Sequence, residues 1–378
     1  MIVRQHHKGL KPEHIFYFSG ILWYVSTLFF GASTIRRFLG IPSNSWINIF
    51  TLIVSGLLLV KIIVYQKYNI KQFVLISITS AILLISVFFT RQTTLLPTFL
   101  FVVAAKGIDL KKFLKYLFEA LFVTVILIIL LALMGTIDNP IFQRSGSDVI
   151  RHSLGFLHPN LLGAQILQIC GLFLVLKWEK VKTLDFVFIL TLAMVSHTFS
   201  DSRTSFYLIL LMLFLTLLYK GLYKIQKQTI LDTIIKYSTF FFPAVSILLA
   251  HYYQSSHEVF RSLNDMFTGR LALLHRYYQR YGLSIFGQPI IINRTQTLDN
   301  VYAYLAISFG LLTFLLVIIA YYKCIKILIA KRKTPILISI FVFLVSGLFE
   351  VSFFRFTYNY TLVFLSLALY DKWDASKL

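Results

Sequence analysis

The sequence predicts an all-α, polytopic integral membrane protein of about twelve transmembrane helices, and three observations carry that reading. Apolar residues fill 58% of the 378 positions and charged residues only 13%, against roughly 25% charged in a soluble domain. Apolar runs recur from end to end, as at 121–134, 206–218 and 311–321. With their weakly polar flanks, each approaches the ~20 residues needed to span hydrocarbon. The runs are bulk Leu, Ile, Phe and Val, without the strict alternation of a membrane β-barrel.

In order, the expected spans are 15–34, 45–65, 72–90, 92–105, 113–135, 155–176, 184–200, 203–219, 237–252, 300–322, 335–350 and 354–370. The first follows a basic stretch (Arg4, Lys8, Lys11) that mimics a secretory signal. Its apolar run is nearer twenty residues than ten and reads as a retained helix. The fourth is short and holds Pro97, which predicts a tilt or kink. The sixth starts at Pro159, suited to a first helical turn. Asp201 or Ser202 is a good N-cap for the eighth, and Asp299 is placed either to cap the tenth or to act as a base at its mouth. No internal repeat or appended soluble domain is visible, so 1–378 reads as one transmembrane domain. Its longest external segment, 253–299, joins the ninth and tenth spans and is too long for a mere connector. Within it, 264–281 reads as one amphipathic helix with Leu271, Leu274 and Tyr278 on a face. The plain alternative is an interfacial helix lying on the bilayer.

The formal net charge is +21. No Lys/Arg run is long enough for a nucleic-acid-binding face, and such a charge is ordinary for a protein held against anionic lipid. Cys170 and Cys324 lie in or beside apolar runs, which disfavours a disulfide framework or a thiolate metal site. Placed on twelve spans, every lysine falls on or near one side, which the positive-inside rule makes cytoplasmic together with both termini. The arginines do the reverse. Only Arg4 and Arg332 are inside. Arg36, Arg37, Arg91, Arg144, Arg151, Arg203, Arg261, Arg270, Arg276, Arg280, Arg294 and Arg355 fall outside. Snorkelling to lipid phosphate is the bland explanation for any one of them. As a set they suggest a phosphorylated substrate, because guanidinium binds phosphate as a planar fork where ammonium is a point charge.

Three constellations stand at this external side. The first runs Arg151-His-Ser-Leu-Gly-Phe-Leu-His158-Pro159-Asn160, with Gly163 beyond, and Arg144 precedes it. A helix starting there points free N–H groups outward, a natural anion site, while His158 and Asn160 also suit a simply capped helix. In the second, Arg203 follows Asp201 and Ser202 in a first helical turn, where its charge opposes the dipole and requires an anion, either Asp201 or a substrate phosphate. The third comprises Gly269-Arg270, His275 and Arg276, then Asp299-Asn300 and Tyr302.

Arg-x-Ser-x-Gly-Phe-x-His-Pro-Asn-x-x-Gly, then Ser-Arg opening a later span, then Gly-Arg in a long external loop, then Asp-Asn-x-Tyr, resembles the O-antigen polymerase and ligase superfamily. Within it, the chain is most similar to bacterial capsular or exopolysaccharide repeat-unit polymerases. The resemblance covers roughly residues 90–320 by motif. It implies a membrane glycosyltransferase at the outer face of the cytoplasmic membrane, moving a growing glycan from undecaprenyl pyrophosphate to the terminal sugar hydroxyl of another lipid-linked repeat unit. It implies neither metal nor nucleotide sugar, and partners that include a flippase and a chain-length regulator. Carried over by motif, it selects Arg151, Arg203 and Arg270, with His158 and Asn160; Arg144, Arg276, Asn300 and Tyr302 join as candidate substrate contacts.

Cleaving a sugar–pyrophosphate bond develops negative charge on the leaving group, which pre-placed cations stabilise. The outward acids Asp138, Asp148, Asp201, Glu258, Asp265, Asp299 and Glu350 are scattered, with no DxD-type pair to hold a divalent ion. A base must still take the acceptor proton, and Asp299, Glu258 and His275 are the candidates. A ligase shares every motif and differs in acceptor. A lipid-linked oligosaccharide transporter predicts mid-membrane polar groups, repeated halves and broken helices.

Overall fold

In hydrocarbon a chain must satisfy its own backbone, so long apolar runs become helices. The computed structural model describes residues 11–40, 45–144, 148–291 and 297–370, and the sequence expectations for Arg4, Lys8 and Arg294 lie outside them. The chain begins with α1 (Pro12–Ser26), extended by a π-helical turn at Thr27–Ala32, and the short α2 (Ile35–Phe38). Then come α3 (Ser45–Val60) with a π-turn at Lys61–Tyr65, α4 (Ile70–Thr90), α5 (Leu95–Ala104) and α6 (Leu110–Leu133). An antiparallel pair, β1 (Ile141–Gln143) and β2 (Ile150–His152), sets Phe142 opposite Arg151. After it run α7 (Pro159–Lys177), α8 (Thr183–Ser200), α9 (Arg203–Lys224) and α10 (Gln228–Tyr252). The segment after α10 holds α11 (Glu258–Met266) and α12 (Arg270–Tyr281), and the chain closes with α13 (Val301–Tyr304), α14 (Leu311–Ala330), α15 (Thr334–Ser346) and α16 (Ser366–Leu369). Nine helical segments among the described residues are long and apolar enough to cross a membrane, and three shorter apolar helices accompany them. The protein is an all-α membrane protein.

Burial is uneven. In α7, 61% of the most apolar window is buried, against 17% for the segment Ser45–Tyr65. α7 packs on α6, α8 and α9, with α15 against α9 and α7. Leu52, Ile63, Ile70 and Leu184 are each at least three-quarters exposed, as expected of side chains in lipid. At the lysine-bearing end, Lys61 is buried, with its Nζ 2.5 Å from Ala104 O and 3.3 Å from Lys106 O. An ammonium that far from water is tolerable only because carbonyls receive it.

The structure corrects several sequence expectations. Pro97 falls in the first turn of α5, where its missing N–H costs nothing; the proline inside a helix is Pro243 in α10. The span expected at 300–322 is discontinuous. α13 passes into a π-turn at Leu305–Phe309, and Gly310 (φ 89°) breaks the path before α14. The segment 284–288 fills that break: Gln288 N donates to Ser308 O (2.8 Å), and Leu311 N and Leu312 N donate to Ser284 O and Ile285 O. A Cβ on Gly310 would lie 2.5 Å from the Phe286 carbonyl carbon, so both the left-handed backbone and the close approach require glycine. The twelfth span is mostly 3₁₀ helix (Phe356–Tyr358, Tyr360–Leu365) before the single turn of α16. It is buried in protein, the condition under which irregular backbone survives at membrane depth. The expected helix 264–281 is two helices, because Thr268 (φ 55°) and Gly269 (φ 82°) turn the chain between them. Its buried face is Leu271, Leu274 and Tyr277, with Tyr278 only half-buried. That face packs on Ala250, Tyr253, Leu298 and Ala303, so protein rather than lipid covers it.

Candidate functional site

The first turn of α7 is fixed by His158, whose Nδ1 accepts from Asn160 N (3.2 Å), with Pro159 at the next position. Burial, and then Arg151, hold the His158 imidazole below its usual pKa, so it is a neutral cap. Asn160 is thereby aimed at Arg151, accepting from its Nη2 at 2.5 Å, while Arg151 Nε donates to Ser200 O (2.8 Å) at the end of α8. The Arg151 guanidinium thus ties the start of α7 to the end of α8. Gly163 makes this approach possible, since a Cβ there would lie 2.6 Å from Ser202 Cβ.

Neither Asp201 nor Ser202 caps α9 through its side chain. Asp201 instead closes α8 in a left-handed conformation (φ 42°). Its carboxylate receives Arg144 Nε at 2.5 Å and Arg203 Nε at 3.3 Å, and Arg144 Nη2 also reaches Asp201 O. One carboxylate therefore serves two guanidiniums. Arg203 remains 51% exposed, leaving donors for an anion. The dipole argument for an anionic partner is met by Asp201.

From the other side, Arg270 Nε lies 3.3 Å from Asp299 Oδ2 and its Nη1 donates to Phe349 O (3.0 Å). The Phe267 ring packs on Phe349, centroids 5.4 Å apart, so the segment of α11 and α12 docks on the connector that follows α15. Asp299 is not the cap of α13. That role belongs to Asn300, whose Oδ1 accepts from Ala303 N and whose Nδ2 donates to Ser246 Oγ. Tyr302 is buried and donates to Leu344 O. Asn300 and Tyr302 are thus engaged within the fold. Burial pushes the Asp299 carboxyl up, although Arg270 opposes the shift.

The connector also carries Glu350, which by sequence is one of the scattered acids. It lines a small cleft of about 20 Å³ with Ala164, Thr204, Ser205, Ser346, Ser352 and Tyr358, room for about one water. Burial pushes its carboxyl up to about 7, with Arg270 pulling down, Asp299 pushing up and Arg151 pulling down. It therefore feels both arginine clusters. A signal was present: a lone Glu ending an apolar run needs partners.

Other candidates lie apart from this cleft. His275 Nδ1 lies 2.8 Å from Ala250 O, and His275 and Arg276 line an open groove of about 590 Å³ with Tyr253, Gln279 and Arg280. Glu258 is exposed at the start of α11. Among the described residues, no three His, Cys, Asp or Glu side chains gather as a metal-ligand group.

A third concavity is apolar, about 440 Å³, between α4, α5, α14 and the 3₁₀ segment. Leu75, Phe99, Leu316 and Leu365 line it, while Ile78, Leu315 and Ile319 on its walls are about half exposed. Phe354 belongs to this groove and Glu350 to the cleft, so one short connector separates them. The fold and site define a helical membrane protein in which arginine ion pairs act on the glutamate of a small cleft. Comparison with protein-family models, curated proteins and solved structures returns no match.

Proposed function

We propose that the chain is a polysaccharide repeat-unit polymerase of the bacterial cytoplasmic membrane. In this reading it crosses the bilayer twelve times, with both termini inside and the arginine cleft outside. It transfers a growing glycan from undecaprenyl pyrophosphate to the sugar hydroxyl of a second lipid-linked repeat unit. The observation that carries the reading is that Arg144 and Arg203 share Asp201, that both act on Arg151, and that Arg151 and Arg270 both act on Glu350 in the cleft, with few carboxylates to neutralise them. Partly free guanidiniums at a membrane edge are suited to a pyrophosphate whose charge grows as the glycosidic bond breaks. The apolar groove on the far side of the Glu350–Phe354 connector gives a polyprenyl tail a place beside that charge. The open groove with Arg276 and Gln279 offers polar contacts to the glycan, and Tyr253 offers a ring for sugar stacking.

The test uses purified chain in nanodiscs, given lipid-pyrophosphate-linked oligosaccharides extracted from cells that lack it, without added metal or nucleotide. Products spaced by one repeat unit are expected for wild type. Arg203→Lys and Arg270→Lys, still folded, are expected to lose the ladder because ammonium cannot supply the bidentate fork. Substrate left unextended by folded wild type defeats the polymerase reading. Transfer to a different lipid or protein acceptor would favour a ligase, which shares this chemistry.

Transport is the second reading, and the break at Gly310 is the observation that favours it, since transporters bind cargo at broken helices. Here, however, the segment 284–288 takes the freed backbone groups, whereas a transport site leaves them for substrate.

A further inference from the structure

We propose that Glu350 is the proton acceptor of the transfer, a catalytic residue that meets the acceptor sugar's hydroxyl in the cleft. This rests on the polymerase reading above. Three acids lie among the arginines, and two are already engaged: Asp201 by Arg144 and Arg203, and Asp299 by Arg270. Neither of them lines the cleft; Glu350 does, beside Ser346, Ser352 and Ser205, whose hydroxyls offer hydrogen bonds to a single sugar hydroxyl entering it. Among the described residues none donates a hydrogen bond to its carboxyl, so its oxygens are free to accept one from a substrate. Arg270 and Arg151, from the two clusters, both act on it electrostatically. A base at this place has cations near enough to act on it and to hold the leaving group.

The step balances without a co-reactant. The acceptor oxygen forms the new bond to the donor's anomeric carbon. The bond from that carbon to the pyrophosphate oxygen breaks, and its electron pair leaves with undecaprenyl pyrophosphate, held by the arginines. The acceptor's proton goes to Glu350, which later releases it to water. A carboxylate shifted up to about 7 by burial is a stronger base than an exposed one and still ionises near neutrality.

The titratable and charged groups that act on Glu350 are Arg270, Asp299 and Arg151. Of these Asp299 is the other carboxylate and is itself shifted upward by burial, so Asp299→Asn is the control. Initial ladder rates are measured from pH 5.5 to 9 for wild type, Glu350→Gln, Glu350→Asp and Asp299→Asn, with monodispersity by gel filtration and retention of undecaprenyl pyrophosphate as separate readouts. The wild-type rate should rise through about pH 7 as Glu350 ionises. Glu350→Gln should lose kcat by about 10²-fold or more, with KM and lipid retention little changed and the ascending limb gone. Glu350→Asp should keep a limb, displaced and lower. A purely structural Glu350 would leave the position of the limb alone. Glu350→Gln within a few-fold of wild type, with the limb intact, overturns the proposal while the polymerase reading stands. A limb that moves only in Asp299→Asn overturns it equally. Should Glu350→Gln not fold, Glu350→Asp decides: a limb and rate like wild type overturn the proposal. A folded wild type with no ladder at any pH removes both readings.

Discussion

At the scale of single residues, the end of the bundle that holds Asp201 turns on how few carboxylates hold how many guanidiniums. Asp201 divides between Arg144 and Arg203, and Asn160 rather than an acid orients Arg151. Replacing Asn160 with Leu removes the acceptor of a charge-assisted hydrogen bond, typically about 1.5–3 kcal/mol. The expected result is a ladder rate lowered roughly 10- to 100-fold, because Arg151 is no longer aimed, with lipid retention largely kept. An unchanged rate would mean that Arg151 needs no orienting partner. Glu350 makes a separate prediction about stability. Its folded-state pKa of about 7 exceeds the ordinary 4.5, so the native state binds the extra proton between those values. Stability is therefore greatest below that window and falls as pH rises through it. Asp299 shifts in the same direction. Glu350→Gln should melt higher than wild type at pH 8 and about equally at pH 5. Thermal unfolding in detergent checks this, and a lower melting point at pH 8 would show that the ionised carboxylate stabilises the fold. Cys170 and Cys324, both buried, take no part in the cleft.

At the scale of elements, two glycines set where helices stop or touch. Alanine at Gly310 would demand a left-handed backbone and collide with 284–288. Overpacking of this kind costs typically about 1–3 kcal/mol. Because that segment leads out of α12, Gly310→Ala is expected to lower the melting point and expose the external helices to protease. Alanine at Gly163 acts differently, pressing on Ser202 and Ser205 at the head of α9. It should shift Arg203 and cost activity out of proportion to stability; parallel rate and melting measurements separate the two. The external helices carry the element-level lesson about sequence. Their spacing of apolar residues marks an amphipathic segment, and Leu271 and Leu274 do lie on its buried face. The bend at Thr268–Gly269 is legible only as a glycine, since nothing local says that Phe267 must reach Phe349.

At the scale of the whole molecule, twelve crossings are proposed to set the lysine-bearing connections on one face and most of the arginines on the other. The proposed sidedness is open to direct test, because both native cysteines are buried. In intact cells, an impermeant maleimide is expected to label Ser262→Cys in α11 and to spare Lys180→Cys beyond α7. The reverse pattern would invert the topology and place the arginine cleft inside, removing it from any externally facing polymerisation.

Composition and the length of the apolar runs determined by themselves that this is a helical membrane protein, because hydrocarbon leaves the backbone no other way to satisfy its groups. They also located the long apolar helices, the segment between α10 and α13, and the arginines at issue. Those are properties of position along a chain, and hydropathy reads position. Only the tertiary structure decided which charges meet. In sequence Asp299 is either a cap or a base; in space Arg270 lies beside it and Asn300 takes the capping role. Glu350 looked like an isolated acid, yet it lies 80 residues beyond Arg270 and almost 200 beyond Arg151 in the chain and feels both in space. The breaks at Gly310 and through the 3₁₀ segment were equally hidden. Irregular backbone is permitted at membrane depth only where neighbouring protein covers it, and covering is a property of packing that no local run of residues encodes.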